Sequence, residues 1–116
     1  MVPRRASFFA LAFVLNCVPA KGVDYVNGKV IRVSNGGTLH LRVSGPRTTK
    51  DRLFAIDCPE VAQPHGRVAL GFTRSMTMET QVTAMVHDVD SHGRSVCEVT
   101  VDGKSLNRSL LAAGHA

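Results

Sequence analysis

The sequence predicts an α+β domain that is mainly β, a five-stranded barrel with one helix between strands 3 and 4 and a C-terminal helix. Two observations support this prediction. Short apolar stretches separated by turn residues recur along the chain, whereas helical spacing of apolar residues occurs in only two places. Three consecutive strands joined by tight turns exclude an alternating βαβ arrangement, in which a helix follows each strand.

Five stretches have the character of strands: residues 25–34, 38–43, 51–56, 81–86 and 94–101. Asn35-Gly36 separates the first two and predicts a hairpin, because both residues tolerate positive φ. Residues 44–50 contain Gly45-Pro46 and are predicted to form the second turn. The number of strands and the position of the inserted helix fit an open barrel of the OB type.

Two helices are predicted, over residues 68–78 and 106–113. The first would turn its regularly spaced apolar residues to the core: Val68, Phe72 and Met76, together with Ala69. The second would do the same with Leu106, Leu110 and Ala113. Ser105 is a suitable N-cap for this second helix, and Gly114 is a suitable stop signal.

Residues 1–20 differ in composition from the rest of the chain. Arg4 and Arg5 precede an apolar run, and Val18-Pro19-Ala20 provides a cleavage position. The run is too short to span a bilayer comfortably. We therefore predict a signal peptide over residues 1–20 and one domain over residues 21–116, secreted or periplasmic, with no stable membrane span after signal removal. A buried helix that opens the domain is the alternative.

Residues 21–116 contain 12 lysines and arginines against 9 aspartates and glutamates, a net charge of +3. This excess fits an anionic partner but does not identify one. Cys58 and Cys97 are interpreted as two small, half-buried thiols, with a disulfide as the alternative. The sequence contains no CxxC or HExxH motif of the kind that binds zinc.

Four charged residues lie near predicted strand ends and turns: Arg52, Asp57, Glu60 and Arg94. Hydrolysis of a phosphodiester needs a carboxylate that accepts a proton, cations over the phosphoryl oxygens and usually a divalent metal. Arginine suits the second task, because its planar guanidinium donates two hydrogen bonds to one phosphate and stays charged. Solvated residues at ordinary turns are the competing interpretation.

The motifs around these residues resemble those of the staphylococcal nuclease family. Residues 52–60 (RLFAIDCPE) are similar to the family signature Arg-Leu-x-x-Ile-Asp-x-Pro-Glu, and residues 63–66 resemble the segment that follows it. Residues 90–94 (DSHGR) are similar to Asp-x-Tyr-Gly-Arg, and residues 102–114 resemble the closing turn and helix. The order of these matches identifies the chain as a divergent, C-terminally short member of the staphylococcal-nuclease-like (thermonuclease) family.

The resemblance implies a calcium-dependent nuclease on the predicted barrel. Arg52 and Arg94 would hold the scissile phosphate, and Glu60 would act as the general base on the attacking water. Asp57 and the backbone carbonyl of Cys58 would bind Ca²⁺. The expected partner is nucleic acid, single-stranded DNA or RNA, and we expect a monomer.

The first hairpin departs from the family pattern. The family usually has Asp-Gly-Asp-Thr there, whereas this chain has Asn35-Gly36-Gly37-Thr38, so Gly37 replaces a metal-binding aspartate. Calcium prefers six or more oxygen ligands, and we therefore predict weakened metal binding. His92 also replaces the family tyrosine. A catalytically inactive OB-fold module that binds nucleic acid, or a decayed product that folds poorly, are the alternatives.

Overall fold

The structure, a computed structural model, describes residues 24–116. The predicted signal peptide lies outside the described residues. The elements follow in the order β1 (Asp24–Asn35), β2 (Thr38–Ser44), β3 (Arg47–Leu53), α1 (Gly66–Thr77), β4 (Gln81–Val89), β5 (Ser95–Val101), β6 (Lys104–Ser105) and α2 (Leu106–Ala112). The sixth strand has only two residues, so the barrel consists of β1–β5, and both helices occur at the predicted positions in the chain order.

The closure of the barrel determines which chain segments meet at its surface. The strand order is β3-β2-β1-β4-β5-β6, and an additional pairing joins β3 to β5. This pairing is parallel and places Arg52 opposite Val96 and Leu53 opposite Cys97, whereas the other pairings are antiparallel. The closed mixed barrel with two helices confirms the predicted fold class, and its closure brings the end of β3 beside the start of β5.

The core fixes which face of each strand is exposed to solvent. Strands and helix α2 contribute fully buried apolar residues, among them Val30, Leu39, Leu41, Leu53, Val99, Leu106 and Leu110. Successive side chains of a strand point to opposite faces, and in β2 the two leucines point inward while His40 and Arg42 point outward. Each buried leucine stabilises the fold by about 1.5–3 kcal/mol through removal of apolar surface from water.

Strand β3 covers Arg47–Leu53 rather than the predicted residues 51–56. The turn before it is therefore shorter than predicted, because the threonines that follow favour extended structure. Ala55 has a φ of 60° and takes the chain out of the sheet. Ile56 is buried as expected, at 3% exposure, but it reaches the core from the loop.

Helix α1 buries most of the predicted stripe and adds polar residues to it. Ala69 is buried and Phe72 and Met76 pack against the core, whereas Val68 is 53% exposed. Thr73 and Thr77 are also buried. The Thr73 hydroxyl donates to the Gly36 carbonyl oxygen at 2.8 Å, and the Thr77 hydroxyl donates to the Thr73 carbonyl oxygen at 2.7 Å. Because these hydrogen bonds satisfy the hydroxyls, the polar side chains can be buried, which the spacing of apolar residues could not reveal.

Helix α2 begins as predicted, with the Ser105 hydroxyl oxygen accepting a backbone hydrogen bond at 3.2 Å. Both predicted leucines are buried, but Ala113 is exposed and Asn107 is buried instead. Asn107 Nδ2 donates to the carbonyl oxygens of Phe54 and Cys97 at 2.9 and 3.3 Å. The amide therefore ties α2 to β5 and to the end of β3. Within residues 24–116, neither helix is long and apolar enough to cross a membrane.

Candidate active site

One narrow cleft on the barrel surface brings the predicted site residues together. The cleft has a volume of about 50 Å³, and all five predicted residues line it: Arg52, Asp57, Cys58, Glu60 and Arg94. The remaining lining comes from the first hairpin and the loop after β3: Asn35, Gly37, Thr38 and Ile56. A larger hollow of about 640 Å³ over residues 61–68 contains none of the five. Thr38 was not singled out from the sequence, although it lies in the hairpin that was.

The pairing of the strands explains why the two arginines meet. Arg52 lies in β3, opposite Thr38 of β2 on one side and Val96 of β5 on the other. Arg94 directly precedes β5. The parallel contact between β3 and β5 therefore places both guanidinium groups at the same cleft, although 41 residues separate them in the chain.

Arg94 is held by the turn that precedes β5. Asp90 Oδ1 accepts hydrogen bonds from the backbone N–H groups of His92 and Arg94, both at 2.9 Å, and Oδ2 accepts one from Arg94 Nε at 2.8 Å. These contacts, first the backbone bond from Arg94, hold the pKa of Asp90 below its ordinary value. The terminal guanidinium nitrogens of Arg94 remain available to a ligand. The Asp-x-x-Gly-Arg spacing contains the signal for this tie, since aspartate often bonds the backbone two residues onward.

The loop after β3 fixes the backbone of Glu60. Its N–H donates to Gln63 Oε1 at 2.6 Å, and the Gln63 N–H donates back to the Glu60 carbonyl oxygen at 2.9 Å. Gly66, the first residue of α1, packs so closely here that a Cβ would collide with the Glu60 carbonyl oxygen. Glu60 itself is exposed, so its carboxylate is accessible to water while its backbone is held in place.

The hairpin between β1 and β2 forms, but not with the predicted backbone conformation. None of Asn35, Gly36 and Gly37 has a positive φ. Instead, Asn35 Oδ1 accepts a hydrogen bond from the Gly37 N–H at 2.8 Å, which holds the turn. Gly36 is needed for packing, because a Cβ there would lie 2.9 Å from both Cys58 Sγ and Ala69 Cβ.

Gly37 leaves room in the cleft for a larger side chain. A Cβ at this position would meet Asn35 Oδ1 at 3.7 Å and Ile56 Cγ2 at 3.8 Å, which are ordinary van der Waals contacts. Because the backbone is outside the left-handed region, a substitution causes no strain there. The glycine is therefore not required by the backbone conformation, and it contributes no side-chain oxygen to the cleft.

The oxygen donors around the cleft fit calcium only in part. Calcium takes six to eight oxygens, and Asp57 offers an exposed carboxylate with the Cys58 carbonyl next to it in the chain. Asn35 Oδ1 is already engaged by the turn. In the portion of the chain from residue 24 onward, no group of three or more His, Cys, Asp or Glu residues could hold a metal ion. Water would have to fill most of the coordination positions.

Neither described cysteine is suited to act as a nucleophile. Cys58 and Cys97 are free thiols, as the sequence indicated. Burial, followed by the charge of Asp57, raises the pKa of Cys58. Burial, followed by the charge of Asp51, raises the pKa of Cys97 much further. Because the thiolate is the reactive form, both groups are protonated and inert at neutral pH.

Asp51 is a buried carboxyl group in the barrel interior that the sequence did not single out. It is 2% exposed, and no hydrogen-bond partner for its Oδ1 is found within residues 24–116. Its Oδ2 has only a 3.7 Å contact from Cys97 Sγ. Burial raises the pKa of Asp51, and the neighbouring side chains of Thr49 and Cys97 oppose this only in part. Since successive side chains alternate, Asp51 points away from the cleft that Arg52 lines.

Fold and site together define an OB-type barrel protein with two arginines and two carboxylates at one surface cleft. Residues 50–116 match the family described as "Staphylococcal nuclease homologue". The chain therefore belongs to the staphylococcal nuclease family, which confirms the resemblance inferred from its motifs.

Three relatives show the range of the similarity. An uncharacterized protein of Bacillus anthracis is 30% identical over 105 residues, which cover 82% of this chain and 48% of the relative. An uncharacterized endonuclease of Haemophilus influenzae is 22% identical over 116 residues, covering 100% of this chain and 65% of the relative. A protein of Oryza sativa subsp. japonica named "Probable staphylococcal-like nuclease" is 34% identical over 65 residues, 56% of this chain and 20% of the relative. The chain thus spans less than two thirds of the length of each.

Proposed function

We propose that this protein is a nuclease that hydrolyses phosphodiester bonds of single-stranded DNA or RNA with the help of calcium. The main support is that one cleft is lined by Arg52, Asp57, Glu60 and Arg94. Family membership and the names of two relatives, an endonuclease and a staphylococcal-like nuclease, support the same class of reaction. The cleft is small, and most of the residues that line it are polar or charged, which suits a phosphate group.

In this proposal, Arg52 and Arg94 hold the scissile phosphate from two neighbouring strands. Negative charge accumulates on the phosphoryl oxygens in the transition state, and two fixed guanidinium groups stabilise it more than they stabilise the ground state. Asp90 orients Arg94 through its Nε and leaves the terminal nitrogens for the phosphate. Removal of a comparable charge-stabilising donor costs about 10²–10³ in rate.

Glu60 is the proposed general base. As the water oxygen forms a bond to phosphorus, the water proton passes to the Glu60 carboxylate, and the bond from phosphorus to the leaving ester oxygen breaks. The leaving oxygen is protonated from solvent. Glu60 suits this step because its backbone is fixed by Gln63 and Gly66 while the residue is exposed to solvent.

Asp57 and the Cys58 carbonyl are the proposed protein ligands of Ca²⁺, which supplies positive charge beside the phosphate when bound. Gly37 adds no oxygen, and the loss of one carboxylate is expected to lower calcium affinity by about 10²-fold. We also propose that the protein acts outside the cytoplasm, as the predicted signal peptide implies, and that it is a monomer. A compartment with millimolar calcium would suit a weak site.

The proposal is tested with labelled single-stranded DNA and RNA oligonucleotides over a series from micromolar to millimolar calcium, with a chelator as the reference. We expect chelator-sensitive fragments at high calcium. Asp57→Asn should shift the calcium requirement upward, whereas Asp102→Asn removes an exposed carboxylate of the β5–β6 turn and should not. Absence of fragments from the folded protein at every calcium concentration would reject the nuclease assignment.

A module that binds nucleic acid without cleaving it is the second candidate. The observation that favours it is Gly37, which leaves the cleft with few oxygen donors for a metal ion. This candidate predicts binding that weakens with salt and yields no fragments in the same assay. Binding that is insensitive to salt would contradict it.

A further inference from the structure

The outward face of β1, β2 and β3 carries a row of cations that the proposed chemistry does not use. Pairing between the strands aligns Arg32 with His40, and His40 with Lys50. One step further along the strands, Lys29 is aligned with Arg42. We call these five residues the basic face. Arg32, Arg42 and Lys50 are exposed, and His40 and Lys29 are half-buried.

Charge is concentrated on this face relative to the rest of the chain. Residues 24–116 contain 11 lysines and arginines and 9 aspartates and glutamates, a net charge of +2, yet four of the cations lie on the basic face. Among the described residues, the ion pairs of the structure include only one member of the face, Lys29, which lies 3.1 Å from Glu79. Arg32, Arg42 and Lys50 have no carboxylate of the described chain within ion-pair distance.

The basic face is continuous with the cleft. Lys50 and Arg52 share one face of β3, because they are two residues apart in a strand. Thr38, His40 and Arg42 likewise share one face of β2, and the pairing of β2 with β3 is regular from Thr38 to Arg42. At about 6.8 Å per two residues, the cations extend about 14 Å from Arg52 along the barrel.

We propose that the basic face binds the sugar-phosphate backbone of a single-stranded nucleic acid on one side of the phosphate held in the cleft. This inference rests on the proposed function and adds the path of the substrate. A polynucleotide repeats a negative charge at every nucleotide, so a series of cations that begins at the scissile phosphate complements it. Because contacts to phosphates carry no sequence information, the face is expected to bind without sequence preference.

His40 makes this binding dependent on pH. Its Nε2 lies 2.8 Å from Ser34 Oγ, and the charged groups that face it are Arg32 from β1 and Lys50 from β3. Burial, followed by these two charges, lowers the pKa of His40. A phosphate bound between them would offset the repulsion and raise the pKa again. Binding should therefore take up a proton and tighten as pH falls from neutral.

The test measures fluorescence anisotropy of a labelled single-stranded oligonucleotide in chelator, where no turnover is needed. Arg32→Gln with Lys50→Gln removes two charges of the face, and Lys104→Gln with Arg108→Gln removes two exposed charges near the start of α2 as the matched control. The first pair should weaken binding of a long oligonucleotide about 10-fold and reduce the salt slope by about 1.4, since each contact with a single strand contributes about 0.7. A dinucleotide reaches only the cleft and should therefore bind the two double variants with equal affinity.

Three results would overturn the inference. The first is an equal loss of oligonucleotide affinity in both double variants, and the second is no loss of affinity in either. The third is binding of polyglutamate that is as tight as that of the oligonucleotide and is lost in Arg32→Gln with Lys50→Gln. In the parent, oligonucleotide affinity should be higher at pH 6 than at pH 8, and His40→Gln should reduce this difference. An unchanged difference in the variant would contradict the role of His40. Failure of the proposed nuclease function is distinct, because binding without fragments in calcium leaves the basic face intact.

Discussion

The two sides of the cleft differ in how much of their chemistry is in place. On the proposed phosphate side, Arg52, Glu60 and Arg94 are present, and Arg94 is bonded to Asp90 at 2.8 Å. On the proposed metal side, the turn is equally well built, with Asn35 bonded to the Gly37 N–H, but Gly37 supplies no side-chain ligand. The comparison shows that a turn can form without offering a side-chain ligand, because turn formation and ligand chemistry depend on different atoms.

The largest expected effect concerns the phosphate side. Glu60→Gln keeps the size of the side chain and its backbone contacts but cannot accept a proton. The cleavage rate at saturating calcium should fall by about 10²–10⁴-fold, measured as initial rates with a single-stranded oligonucleotide. Asp102→Asn serves as the control for loss of one exposed carboxylate. An unchanged rate in Glu60→Gln would show that Glu60 is not the general base, and the proposed phosphate side would then lack one.

The next effect concerns the metal side. Gly37→Asp adds a carboxylate where a Cβ meets only contacts of 3.7 Å and longer, so the fold should tolerate it. Calcium affinity, measured by calorimetry, should rise by about 10²-fold, and cleavage at low calcium should rise with it. Gly37→Asn is the matched control, since it adds the same volume without the charge. Equal affinity in parent and Gly37→Asp would mean that this side is not a metal site.

A smaller effect is expected from the tie between Asp90 and Arg94. Asp90→Asn retains an oxygen for the backbone bonds but loses the charged acceptor of Arg94 Nε, so the cleavage rate should fall by about 10-fold. Because the pKa of Asp90 is lowered, its ionised form persists to below about pH 4 and is lost only as pH falls through that lowered pKa. The ratio of parent to variant rates should therefore be constant above that pH.

The control for this prediction is Asp88→Asn, in the same region of the chain, where the carboxylate bonds only the neighbouring Val89 N–H among residues 24–116. Equal losses in the two variants would show that Asp90 acts only as one more negative charge.

No effect on activity is expected from substitution of Asp51, which lies on the inner face of the strand that carries Arg52. Asp51→Val removes a buried carboxyl group whose Oδ1 has no hydrogen-bond partner in the described part of the chain. The substitution should raise the free energy of unfolding at pH 7 by about 1–3 kcal/mol. The pKa of Asp51 is raised in the folded state. The parent protein therefore has its full stability below about pH 4, where the carboxyl group is protonated in both states. It loses stability as pH rises through the raised pKa.

The stability difference between Asp51→Val and the parent should therefore grow from pH 4 to pH 7 in chemical denaturation. Cleavage should not change, because Asp51 points away from the cleft. A difference that shrinks as pH rises would mean that the carboxyl group is stabilised in its charged form.

Much of the candidate site was predictable from local motifs. Residues 52–60 keep the arginine, both carboxylates and the proline of the loop in one short segment, and the Asp90–Arg94 turn has a recognisable spacing. The basic face was not predictable in the same way. Its residues lie in three strands, and only the pairing of His40 with Arg32 and Lys50 brings the charges into one row.

The buried face of helix α1 and the first hairpin show why some predictions failed. Apolar spacing selected Val68, but hydrogen bonds from Thr73 and Thr77 made a polar stripe suitable for burial. For the Asn35-Gly36 pair, the sequence indicated positive φ, whereas the glycine is needed because Cys58 and Ala69 pack against it. In both cases the deciding partner lies far away in the chain.

The order of strands and helices, the charged residues of the cleft and the lack of a side-chain oxygen at Gly37 could be predicted from the amino-acid sequence alone. These follow from local periodicity, turn chemistry and residue type, which need no knowledge of distant contacts. The folded structure was needed to show that β3 closes on β5, that Asp51 is buried while Arg52 lines the cleft, and that the cations of three strands form one face. These depend on strand pairing and burial, which are properties of the whole folded chain.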